Sequence, residues 1–145
     1  MRSLQNRTLG GRHKKSKKNV VCVGKIFADW CGHCQSLKPE WDRMKRDIKL
    51  QIGRSLHNVH VEFVEIGDTE KNKAKGLTVD GMIEKFNNMK KSNVPLKSDG
   101  YPTLFKLKNG LLEYYTGPRT ASSMYSWYTQ GVSSKRTTIK RGGKR

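Results

Sequence analysis

Two cysteines separated by two residues, Cys31 and Cys34 in Trp30-Cys31-Gly32-His33-Cys34, are the side chains of this sequence best suited to covalent chemistry. Such a pair can close a small disulfide that thiol exchange readily reopens. The motif follows an apolar run at 20–27 and precedes a stretch with helical spacing that begins at Gln35. A helix start just after Cys31 aims unpaired backbone N–H groups and the positive end of the helix dipole at its sulfur, which favours thiolate over thiol. Cys31 is therefore the expected nucleophile. Cys34, about one turn further along the same face, can attack a mixed disulfide formed at Cys31 and is the expected resolving thiol. His33 sits between the two, where an imidazole can stabilise the Cys31 thiolate by charge or by a hydrogen bond. A lower thiol pKa makes Cys31 a better leaving group and the disulfide more oxidising, which favours disulfide formation or isomerisation over pure reduction. The third thiol, Cys22, reads as a small buried hydrophobe, and three cysteines with one close pair do not supply a four-ligand zinc set.

The elements that must hold this motif are legible from periodicity. The run 20–27 has the length and the Val and Ile content of a buried strand, interrupted by Gly24 and Lys25. Leu37, Trp41, Met44, Ile48 and Ile52 recur at helical spacing and predict an apolar face, with Pro39 expected to kink that helix. Val61 and Phe63 alternate within 60–66, a second strand, and Val79, Met82, Ile83, Phe86 and Met89 predict another amphipathic helix. Strands at 103–107 and 111–116 flank Asn109-Gly110, a strong signal for a tight hairpin turn, and 121–130 reads as a closing helix. The order predicts an α/β fold built on a mixed central sheet flanked by helices.

Charge is concentrated at the ends. Residues 1–19 hold seven Lys or Arg and 131–145 hold six, with no acid in either, so the tails supply 13 of the net charge of +18. Rich in Ser, Gly, Lys and Arg, they cannot bury enough apolar surface to order themselves. The expected organisation is a basic disordered tail at 1–19, one domain at 20–131 and a second basic tail at 132–145. No apolar stretch approaches the roughly 20 residues needed to span a bilayer, and no apolar core of a secretory signal is seen at the start.

The segment from Lys25 through Trp41, with Trp30-Cys31-Gly32-His33-Cys34 at its centre, resembles the active-site strand and helix of the thioredoxin superfamily. The Cys-Gly-His-Cys version is closer to the catalytic domains of protein disulfide isomerases. A second block, Gly100-Tyr101-Pro102-Thr103-Leu104-Phe105 followed by Asn109-Gly110 and Tyr115-Thr116-Gly117-Pro118-Arg119-Thr120, is similar to the part of that family holding the cis-proline, the hairpin and the last helix. The resemblance implies a thioredoxin-like fold in which Cys31 and Cys34 are catalytic. It implies that a cis Tyr101–Pro102 bond places the Tyr101 backbone beside the disulfide to pair with an extended substrate chain. It implies too that Arg119 swings toward the site to tune Cys34, alongside His33, Gly32 and Trp30. The redox-active Cys31–Cys34 disulfide would carry the electrons, so no dissociable cofactor or metal is required.

Two departures from the family pattern stand out. Six residues before Cys31 the family places a buried Asp or Glu that relays the resolving cysteine's proton, where this chain has Lys25. Either Lys25 points under the disulfide, stabilising thiolates and slowing resolution unless a water or an acid such as Glu65 substitutes, or its stem snorkels and its charge reaches solvent. Pro102 lies 34 residues beyond Asp68, roughly twice the family's interval. This enlarged segment before the cis-proline either shapes a substrate groove or forms a solvated surface excursion.

These observations predict a thiol–disulfide oxidoreductase acting on protein thiols and disulfides, together with an unidentified electron donor or acceptor protein. A rival reading makes the domain a binding platform whose basic tails give salt-sensitive, sequence-independent contact with nucleic acid or an anionic membrane. The missing export signal predicts a cytoplasmic location, in tension with disulfide-forming chemistry. A cytosolic reductase, delivery by partners, or a specialised cytosolic oxidation pathway such as large cytoplasmic DNA viruses carry, in a packaged virion protein, would each resolve that tension.

Overall fold

The computed structural model describes residues 19–132; both predicted basic tails lie outside these apart from Asn19 and Val132. Strand β1 (Asn19–Ala28) leads into helix α1 (Gly32–Gln51), followed by β2 (Val59–Asp68), the short α2 (Glu70–Ala74) and α3 (Val79–Met89). The hairpin β3 (Thr103–Lys108) and β4 (Leu111–Tyr114) and the closing α4 (Ala121–Tyr128) complete the domain. The four strands form one sheet in the order β2-β1-β3-β4. β1 is parallel to β2 and antiparallel to β3, so the sheet is mixed. This is a thioredoxin-like fold.

β1 carries the site because it is central and its two faces are buried differently. Successive side chains alternate across a strand. Val21 and Val23 join Trp41, Met44 and Ile48 of α1 and Met124 and Tyr128 of α4 in one core, while Cys22 and Ile26 join Ile83 and Phe86 of α3 and Phe105 and Leu107 of β3 in the other. Lys25 falls in the same alternating series as Val21 and Val23, which directs it at α1. Gly24 faces the opposite way, and its lack of a side chain is required there: the ring of Phe105, its register partner on β3, occupies the space a Cβ would fill.

α1 begins three residues earlier than apolar spacing predicts, because Cys31 itself is the N-cap; no apolar residue before Leu37 marks that first turn. The helix continues through Pro39. Ile52 does not extend its apolar face: the residue caps the helix and is 41% exposed, and after the turn at Gly53 the buried Leu56 fills the core instead. β4 and α4 each end two residues before their predicted limits, and the buried Val132 adds one residue to the predicted domain.

The enlarged segment is not merely a solvated excursion. It holds α2, which has no buried face to betray it in sequence and is capped by Thr69, and α3, whose Ile83 and Phe86 cover the second face of the sheet. The chain then runs along the outer edge of β4, where Asn93 N–H donates to Gly110 O (2.8 Å), Asn93 Oδ1 accepts from Leu112 N–H (2.9 Å) and Lys97 N–H donates to the Tyr114 hydroxyl (3.0 Å). These bonds satisfy an edge that would otherwise be open to strand pairing.

Candidate active site

The β1–α1 junction presents Cys31 at the N-cap in extended backbone conformation, with its Sγ accepting the N–H of Cys34 at 3.3 Å. Both thiols are free in this structure and largely covered, Cys31 8% and Cys34 6% exposed. The Cys31 thiol is held below the ordinary thiol value. A hydrogen bond from the Cys34 thiol lowers it most, burial opposes that, and the backbone N–H groups of Cys34 and His33 and the charge of Arg119 lower it further. Cys34 is pushed up to about 11, chiefly by burial and then by its hydrogen bond to Cys31. The hydrogen bond from Cys34 and the helix-start amides acting on one sulfur, and burial acting on the other, thus move the two thiols in opposite directions, Cys31 down and Cys34 up.

Across the site, the Cys31 thiol donates to the carbonyl oxygen of Tyr101 at 3.5 Å, and the Tyr101–Pro102 peptide bond is cis. The Tyr101 ring meets Trp30 edge-on, centroids 5.6 Å apart. Trp30 is 65% exposed, and its indole N–H donates to the carboxylate of Asp68 at the end of β2, at 3.1 Å. Asp68 is a site neighbour that sequence reasoning missed, since nothing local ties it to Trp30. Gly32 and the His33 side chain are exposed on the first turn of α1, so the part of His33 that acts on Cys31 is its backbone N–H. Arg119 is exposed just before α4, and its charge reaches Cys31. The loop that carries it is tied to α1 by the Ala121 N–H donating to the Glu40 carboxylate (2.8 Å).

Lys25 does not snorkel. The residue is 5% exposed, with Nζ 4.4 Å from the Phe27 ring centroid and 5.0 Å from that of Trp41. Among the described residues it makes no hydrogen bond or ion pair. Burial pulls its pKa below the usual lysine range, against the opposing field of Glu65. Glu65 itself, facing Lys25 in the β1–β2 register, is already engaged by Lys45 at 2.6 Å and the Trp41 indole N–H at 3.1 Å. Lys25, Cys34 and Glu65 all line one cavity of about 230 Å³ beneath the site.

A protein-family model described as Thioredoxin matches residues 12–130. The chain belongs to the thioredoxin family. Within it, this thioredoxin domain is 29% identical over 111 residues to a probable protein disulfide-isomerase A4 of Caenorhabditis elegans and 28% identical over 108 residues to a thioredoxin domain-containing protein 5 homolog of Drosophila melanogaster. These matches take in 77% and 74% of this chain but only 14% and 21% of the two relatives. Among solved structures, the zinc-bound form of human ERp44 superposes with a TM-score of 0.51 at 22% identity, over 85% of this chain and 29% of that one, a likeness of fold.

The thioredoxin domain keeps its third thiol away from this chemistry. Cys22 is buried in the α3-side core and pushed up to about 11, mainly by burial, with its Sγ 3.5 Å from the Glu62 carboxylate. Among the described residues no group of three or more His, Cys, Asp or Glu side chains could hold a metal ion, and no helix is long and apolar enough to cross a membrane.

Proposed function

We propose that this domain is a thiol–disulfide oxidoreductase acting on protein substrates, with disulfide formation or isomerisation favoured over reduction. The observation that carries the reading is the placement of the two sulfurs, Cys31 at the N-cap of α1 with its Sγ accepting the Cys34 N–H at 3.3 Å and Cys34 buried within the first turn of the same helix, and the opposite pull on their ionisation agrees with it. The Cys31 thiolate attacks one sulfur of a substrate disulfide; that S–S bond breaks, the other substrate sulfur leaves as thiolate, and a mixed disulfide forms. Cys34, once deprotonated, attacks the Cys31 sulfur, expels the second substrate thiolate and closes the Cys31–Cys34 disulfide. Run backwards, the same exchange oxidises a substrate dithiol and leaves Cys31 and Cys34 reduced. If a second substrate thiol attacks the mixed disulfide first, the substrate is isomerised. The exposed Trp30 and the half-buried Tyr101, which the cis bond to Pro102 follows, lie beside the attacking sulfur and offer an extended chain a surface and the Tyr101 backbone. A separate protein donor or acceptor resets the pair.

The test is the equilibrium between dithiol and disulfide in glutathione buffers. A potential near the isomerase value of about −180 mV supports oxidation or isomerisation, and one near about −270 mV makes the domain a reductase. A pair that never closes at any poise would overturn the oxidoreductase reading.

A further inference from the structure

The active site occupies one end of the sheet, and the segments outside the described residues are attached at the other. β1 and β2 run in parallel toward Cys31, so Asn19 and Val59 mark the far end, and antiparallel β3 brings Lys108 there beside Val21. The turn after α1 reaches the same end, where Asn19 N–H donates to Asn58 O at 2.8 Å. So does the end of α3, since Lys90 and Lys91 line one cavity with Asn19 and Val20. α4 closes there as well: Lys108 Nζ donates to Gln130 O at 3.3 Å, two residues before Val132. Residues 1–18 therefore join the domain at Asn19 and residues 133–145 continue from Val132, both at the pole opposite Cys31, and they hold seven and six Lys or Arg with no acid.

The folded surface around the two attachment points is both basic and apolar. Lys49 and Arg54 stand exposed at and after the last turn of α1, and Lys91 stands exposed just past α3. Of the acids nearby, Asp47 and Glu62, the second is already paired with Lys90 at 2.6 Å. Beside these cations, Val20 on β1, Leu50 and Ile52 at the end of α1, Met89 at the end of α3 and Leu111 after the hairpin turn are between 41% and 66% exposed. At the active-site end the lysines of α2 stand instead among Asp29, Asp68, Glu70 and Asp80. A nucleic acid backbone would satisfy the cations of the far pole but offers nothing to its aliphatic side chains. An anionic bilayer surface suits both, because its headgroups attract Lys and Arg and its interfacial layer takes up apolar groups.

We propose that this pole is a peripheral docking surface for an anionic lipid membrane. Residues 1–18, residues 133–145 and the cations Lys49, Arg54 and Lys91 hold the domain by charge, while Leu50, Ile52 and Met89 enter the headgroup layer. Because β1 then rises from the surface, Cys31, Trp30 and Tyr101 face away from the lipid and stay open to protein substrates. Each positive charge close to such a surface strengthens binding about fivefold. The attraction fades beyond a Debye length, about 8 Å at physiological salt, so only cations on the docked side contribute.

The experiment uses the full reduced chain, co-sedimented with vesicles of phosphatidylcholine alone or with about one third phosphatidylserine, and mixed separately with a duplex oligonucleotide. Binding is expected to the anionic vesicles alone of the two, and to weaken as salt is raised. Lys49→Gln/Arg54→Gln/Lys91→Gln is expected to reduce it by about 10-fold or more, whereas Lys71→Gln/Lys75→Gln/Lys97→Gln, which removes the same charge elsewhere, changes it by less than about threefold. Leu50→Gln/Met89→Gln, at exposed helix positions that accept glutamine, is expected to reduce it about fivefold. Equal losses from the two charge variants would mean that net charge acts without orientation, and would overturn the proposal. Vesicle binding untouched by Leu50→Gln/Met89→Gln overturns it as well, as does binding to neither kind of vesicle. Binding to the duplex without binding to vesicles overturns it in favour of nucleic acid. Orientation has its own readout: iodoacetamide should alkylate Cys31 at the same rate in free and vesicle-bound protein, and protection on the vesicles would show that the active site faces the lipid and overturn the assigned pole.

Discussion

The sulfur of Cys31 and the carbonyl oxygen of Tyr101 lie 3.5 Å apart although 70 residues separate them in the chain. Between them run α1, β2, α2 and α3, and the contact is made only because β1 and β3 are antiparallel neighbours, with Ile26 paired to Thr103 just below the site. The Cys31 thiol is thereby given a backbone acceptor, and the site an aromatic wall, from a distant segment. The consequences can be checked one at a time.

Selective labelling is the most direct. Cys31 is held below the ordinary thiol value, whereas Cys34 and Cys22 are each pushed up to about 11 and buried. Brief treatment of the reduced native protein with iodoacetamide at neutral pH should modify Cys31 alone. Peptide mapping that found Cys22 or Cys34 modified at a comparable rate would contradict the assigned ionisation.

Arg119 acts on Cys31 through its charge alone, from an exposed position. Arg119→Ala is expected to shift the Cys31 alkylation midpoint upward and slow the reaction at neutral pH by at most about fivefold. Added salt should shrink the difference, since the Debye length is about 3 Å at 1 M. A larger, salt-insensitive loss would mean that the side chain makes direct contact with the sulfur.

Lys25 should weaken the fold that it serves. Its folded-state pKa lies below the usual 10.5 because burial disfavours the ammonium. The folded chain therefore binds fewer protons at this site than the unfolded chain as pH climbs toward 10.5. The penalty is complete below the folded value and disappears through that alkaline window. Lys25→Met is expected to raise stability by about 1 kcal/mol at neutral pH, with the advantage fading toward alkaline pH. Urea denaturation of both proteins across that range measures it, and a variant less stable at neutral pH would show that the aromatic contacts outweigh the buried charge.

Gly24 should tolerate no side chain. A methyl group there would enter the space of the Phe105 ring in the middle of the sheet, where Phe105 also packs edge-on against Phe86. Gly24→Ala is expected to cost about 1–3 kcal/mol through overpacking, read as a lower denaturation midpoint. Phe105→Leu in the same chain should recover part of the loss, and an unaltered midpoint in Gly24→Ala would refute the close packing of the two strands.

Much of the framework was legible because it is written in short-range signals. Leu37, Trp41, Met44 and Ile48 repeat at helical spacing, and all four are buried on one face of α1. Asn109-Gly110 sits in the turn between β3 and β4, with both residues at positive φ. Where no apolar pattern or motif chemistry marks an element, the reading missed it: the lysine-rich α2 leaves no periodic trace, and Ile52 fits the spacing although the chain has already turned away, whereas the helix start just after Cys31 was legible from the chemistry of the motif.

By itself the sequence determined the reactive pair, the strand and helix that present it, and the order of elements around them, because spacing, capping and turn chemistry act over a few residues. Only the tertiary structure decided that Lys25 is enclosed between Phe27 and Trp41 rather than extended to solvent, that Glu65 is occupied by Lys45 and Trp41, and that Tyr101 lies against Cys31. Each of these depends on which strands become neighbours and which face a helix covers. A lysine in a strand is compatible with either environment until α1 closes over it, and the free energy that closes it comes from apolar residues elsewhere along that helix.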